Sequence, residues 1–341
     1  MKFKWNSWAG TIIISFIVLV LLIIFPSNNT QNVSEDLITK IDTIKSNNNF
    51  VTKDTEDGYQ ITNGVKHSVD IQKIINGGPT KDGIPSIDYP TFASIKEANE
   101  YLTNDSLGIS ITIAGETRFY PYKILAWHEL VNDNFGSQAI LVSYCPLSGA
   151  GIVFDRTIDG EVIEFGVSGK LYKSNLVMYN RKGGESLWSQ ILGQAIAGEL
   201  TGKKLNVISS IVILYGDWKK FYPDSKVLSK DTGYIRSYEK DPYFDYYRSD
   251  EVYFGVKFSD TRLKPKEYII GIEINGTYKA YDKDSLSVGE TKDLVANQNL
   301  IIVKDVVGRI TISIGDQKVT FIESFWFAWI EIHPDTELFT I

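Results

Sequence analysis

From Lys81 onward the chain consists of apolar runs of strand length separated by Gly, Asn and Asp clusters, and this punctuation limits the fold more than any other feature. Ile109–Ile113, Ala139–Tyr144, Gly151–Phe154, Val162–Val167, Leu176–Tyr179 and Val212–Tyr215 are short and bounded by turn formers, which reads as strands. Helical patterns are few. Tyr89–Leu102 is one, and Pro121–Asn132 is the clearest. Pro121 suits a first helical turn, and Tyr122, Leu125, Ala126 and Glu129 recur at helical spacing. The expected class is α+β and strand-rich, with a few short helices.

The body also repeats itself. Gly115–Tyr120 (GETRFY) resembles Gly276–Tyr281 (GTYKAY), after which Leu125 falls on Leu286 and Ile140–Val142 on Ile301–Val303 without a gap. Trp218–Ser225 (WKKFYPDS) echoes Trp329–Thr336 (WIEIHPDT). Two related β-rich halves are expected, residues 81–230 and a shorter 231–341, with an extra segment around Gly166–Gln194 in the first. At the same offset His128 falls on Gly289, Cys145 on Val306, Asn132 on Asp293 and Asp133 on Leu294. The scaffold recurs while the polar group does not, so the first half is where function is expected.

Lys2 and Lys4 precede an apolar run, Ala9–Phe25, in which only Thr11 and Ser15 are polar. Its length just suffices to span a bilayer. No Ala-x-Ala cleavage pattern follows, so an uncleaved anchor is expected rather than a secretory signal. The basic residues place 1–8 in the cytoplasm and 9–25 in the membrane, making a single-pass cell-membrane protein with an extracytoplasmic body. Residues 26–80 read as a polar tether with a short helix near Asp36–Ile44. The formal net charge of −7 argues against a nucleic-acid partner. A single cysteine excludes an internal disulfide and any paired-cysteine zinc pattern.

Chemistry is expected in the stretch from Phe119 to Arg156. Cys145 ends a strand and precedes Pro146 and a Gly-rich turn, where free backbone N–H groups favour a thiolate. His128 is a candidate base or charge partner for it, with Asn132 one helical turn on as an orienting group. Glu129 sits beside them as a further catalytic candidate. His128, Cys145 and Glu129 also make a candidate copper or zinc set, although their spacing matches no established ligand signature. Ser148, Gly149, Ser168, Lys170 and Asn175 are candidate ligand-binding residues, Lys170 for an anion near Gly169. The Tyr-rich run Tyr243–Tyr247 offers stacking surface or plain packing.

Asp82–Phe92 (DGIPSIDYPTF), Tyr120–Asp133 (YPYKILAWHELVND), Val142–Arg156 (VSYCPLSGAGIVFDR), Phe165–Gln190 and Phe325–Phe339 together resemble a bacterial and archaeal family known as domain of unknown function 3179. The resemblance covers nearly the whole body. Some members are regarded as selenoprotein candidates, which implies a redox or nucleophilic role at the position of Cys145. The chain departs from the family where Ser148 replaces a second cysteine and Asn180 replaces Asp. The first departure excludes an internal C-x-x-C pair, so thiol turnover here would need an external thiol or redox partner. The open readings are thiol-based redox or nucleophilic chemistry at Cys145, a non-catalytic metal- or small-ligand-binding module, and a decayed structural member of the family.

Overall fold

The computed structural model describes residues 36–47, 50–254 and 256–340. The expected anchor at 9–25 and the start of the tether lie outside the described residues. Among the described residues no helix is long and apolar enough to cross a membrane. The body is strand-rich, with six short α-helices described, the longest of ten residues.

The strands Leu107–Ile113 and Glu116–Pro121 form a hairpin through Ala114-Gly115, both left-handed at φ 49° and 84°. That is the two-residue turn whose twist suits paired strands. Ile211–Leu214 pairs antiparallel on one side and Lys226–Leu228 parallel on the other, and helix Tyr215–Phe221 links these two. A second sheet has the same order and directions. Tyr268–Ile274 and Thr277–Asp282 turn through Asn275-Gly276 at φ 49° and 81°. Ile322–Phe325 is antiparallel to the first of these, Glu337–Leu338 is parallel to the second, and helix Trp326–Ile332 joins the outer pair.

Matching side chains hold both hairpins. Tyr120 Oη donates to Asp133 at 2.5 Å, and Arg118 Nη1 lies 2.6 Å from the same carboxylate. Tyr281 Oη donates to Asp293 at 2.8 Å, with Lys279 Nζ 3.5 Å away. In each case the other carboxylate oxygen accepts from the next residue's N–H, Asn134 or Leu294. Asp133 and Asp293 thus occupy matching places beside their hairpins, and Glu129 and Gly289 stand the same number of residues before them.

Leu130–Phe135, Gln138–Cys145, Ala150–Asp155 and Asn206–Ile208 make a second sheet of the first half. The expected helix Pro121–Asn132 is corrected here: it runs only Tyr122–His128, and Leu130 onward is strand. Asn132 accordingly shares no helix face with His128. The extra segment adds the strands Phe165–Tyr172, Asn175–Asn180, Ser186–Ser189 and Gln194–Gly198 to an eight-stranded sheet. Its remaining strands, Thr52–Asp54, Gln60–Thr62, Val65–His67 and Ile74–Asn76, come from the stretch expected to be tether. Helix Leu37–Ser46 buries Ile38, Ile41 and Ile44 in an apolar cluster with Val177, Leu187 and Ile196. The described residues of 36–80 are thus part of the folded body. A polar surface hid a three-isoleucine stripe at helical spacing.

Candidate functional site

Helix Tyr122–His128 must hand over to the strand Leu130–Phe135 within one residue, Glu129. Its N–H donates to Leu125 O at 2.6 Å, and its carbonyl accepts from Tyr144 N at 2.8 Å. Both bonds are made with the backbone at φ 60°, ψ −35°. A β-carbon in that region is strained by about 1–2 kcal/mol. Gly289, which stands as far before Asp293 as Glu129 before Asp133, has φ 117° and no β-carbon to strain.

The Glu129 side chain is 7 % exposed, and no hydrogen-bond or ion-pair partner for its carboxyl exists among the described residues. It lines a cavity of about 360 Å³ whose walls include Leu147, Leu176, Tyr243, Tyr246, Tyr253 and Phe254. Burial pushes its pKa up from the ordinary 4.5 to about 8. Loss of water is the whole cause, because no charge or hydrogen bond compensates. At neutral pH the group is mostly protonated and close to its midpoint, the condition in which a carboxyl gives and takes protons readily.

Cys145 is 1 % exposed and accepts from Leu176 N at 3.3 Å. Burial, and then the Glu129 carboxyl, push its thiol up to about 11. His128 is not joined to it. The Pro85 carbonyl can only accept, so His128 Nδ1 carries the proton and donates to it at 2.7 Å. His128 Nε2, 2.6 Å from Tyr238 Oη, then accepts. Both ring nitrogens are taken, and burial lowers the imidazole to about 4. A thiolate–imidazolium pair needs the opposite of both shifts.

Asn132 stitches two sheets. Its amide donates to Asp88 at 2.7 Å and to Phe165 O at 2.8 Å, and its carbonyl accepts from Phe165 N at 3.0 Å. Asn175 donates to Ser148 at 3.0 Å and to Gln190 at 2.8 Å and accepts from Ile191 N, a closed buried network. Gly149, at φ 64°, lies so close that a β-carbon would stand 2.9 Å from the Phe325 ring. Ser168 donates to Val177 O and receives Lys170 N at a bulge. The Lys170 ammonium holds Asp42 at 2.6 and 2.7 Å, which ties helix Leu37–Ser46 to the sheet. Ser148, Gly149, Ser168 and Asn175 are therefore framework, while Lys170 lines the cavity with its charge already engaged.

Among the described residues no group of three His, Cys, Asp or Glu side chains stands ready for a metal. His128, Cys145 and Glu129 in particular do not converge, because His128 points to Pro85 and Tyr238. The cavity's aromatic wall was half legible in the Tyr243–Tyr247 run, but Tyr253 and Phe254 gave no signal of their own.

Fold and site define a strand-rich protein with one strained, unpaired carboxyl facing an aromatic cavity. The family model described as "Protein of unknown function (DUF3179)" matches residues 81–318, and the chain belongs to that family. No curated protein and no solved structure gives a significant match.

Proposed function

We propose that this chain binds a small molecule in the Glu129 cavity and that the Glu129 carboxyl exchanges a proton with it. One observation carries the reading: a largely buried carboxyl without a protein partner among the described residues, on backbone that the equivalent position fills with glycine, faces a partly open cavity with aromatic walls. Such a group costs stability and recurs at sites of acid–base work. The shared strand order, the Tyr–Asp pairs and the matching places of Glu129 and Gly289 support an internal duplication in which the first half acquired the carboxyl. The reactive-thiol reading has less support, since His128 is turned away from Cys145 and burial disfavours the thiolate. The apolar run Ala9–Phe25 supports a tethered protein with this cavity on the extracytoplasmic side.

The test is labelling with dicyclohexylcarbodiimide, an apolar reagent that adds to protonated carboxyls. At pH 7.5 and limiting reagent, peptide mapping is expected to find the adduct chiefly on Glu129. Labelling spread over exposed Asp and Glu residues, with Glu129 spared, would overturn the proposal.

A further inference from the structure

We infer that the cavity takes an organic cation, a primary ammonium on a small apolar body, with Glu129 as its counter-ion. This rests on the reading of the cavity as a small-molecule site.

Charge is the first argument. The lining carries two carboxylates, Glu129 at the buried end and the exposed Asp245, and a single cation, Lys170. The Lys170 ammonium is spent on Asp42, so an anionic ligand would meet carboxylates and no free positive group. The walls are the second argument. Tyr243, Tyr246, Tyr253 and Phe254 supply aromatic surface, and ring faces attract ammonium groups. Tyr246 already does so within the chain, with Lys266 Nζ 3.3 Å from its centroid. The third is the carboxyl itself, to which no described residue of the protein donates. An ammonium brings the donors that Glu129 lacks and relieves the unpaired state of that group.

The pH dependence follows from what faces Glu129. Cys145, Tyr243 and Tyr246 are pushed up by burial, and the neighbouring His128 is lowered to about 4. Lys170, Asp245 and Tyr253 complete the surroundings. A bound cation favours the ionised carboxyl, so binding releases a proton below pH 8 and strengthens as pH rises to that point.

Titrate the full chain, in mild detergent, with phenethylamine, 2-phenylethanol and 3-phenylpropionate from pH 6 to 9, alongside Glu129→Gln, by calorimetry. The amine should bind at least about tenfold tighter than the alcohol at pH 8, and weaken by up to about tenfold per unit towards pH 6. Glu129→Gln should remove that preference and that pH dependence. Equal affinity for amine and alcohol, or a flat pH profile in the unsubstituted chain, would overturn the cation assignment and leave the cavity as a site for neutral molecules. No binding of any of the three would overturn both readings.

Discussion

Glu129→Gln should make the protein more stable, and by an amount that grows with pH. The folded carboxyl keeps its proton up to about pH 8, whereas the unfolded one releases it near the ordinary 4.5. Between those values the unfolded state binds fewer protons, so the native chain loses stability as pH rises. At about 1.4 kcal/mol per unit, the loss from this one group is about 1 kcal/mol at pH 5, about 3 at pH 7 and about 5 at pH 9. Glutamine keeps the shape and the left-handed strain and does not ionise. Urea unfolding of both chains at pH 5, 7 and 9 gives the difference, and other titrating groups cancel in the subtraction. Relaxation around the charged form shrinks the effect, but the difference should still widen by at least about 2 kcal/mol from pH 5 to pH 9. A difference independent of pH would refute the claim that Glu129 is held protonated by burial.

Three further outcomes follow from the same geometry. Iodoacetamide should label Cys145 at pH 8 at least about a hundredfold more slowly in the native chain than in urea, because the thiol is buried and raised to about 11. Rapid native labelling would restore the thiol reading. Asp133→Asn should cost about 1–2 kcal/mol in urea unfolding, since it removes the 2.6 Å carboxylate partner of the buried Arg118, which keeps Glu116 at 2.9 Å. Gly271→Ala should cost about 2 kcal/mol, because its β-carbon would stand 2.5 Å from the Trp329 ring.

The strands were legible because short runs such as Ala139–Tyr144 are apolar throughout and closed by turn residues, and Gln138–Cys145 is indeed strand. The echo of Gly115–Tyr120 in Gly276–Tyr281 was likewise visible, since both hairpins need the same turn and the same tyrosine. The end of the helix at His128 was not. Glu129 is a good helix former, and its left-handed backbone is imposed by bonds to Leu125 and Tyr144 rather than by its own preference. That single misreading carried Asn132 onto the wrong element. Lys170 was read as an anion site for a similar reason: its partner Asp42 is remote in sequence and sits in a segment whose polar face concealed its fold. Glu129 stood among the expected catalytic residues, but what marks it out, the absence of any partner inside a cavity, is a property of the assembled walls.

Glu129 protonation can be read directly from its carboxyl carbon, by titrating chain labelled with carbon-13 at glutamate and assigning the resonance by its absence in Glu129→Gln. A midpoint near pH 8 is expected. A midpoint between about 4 and 5, the range of a solvated glutamate, would contradict the account.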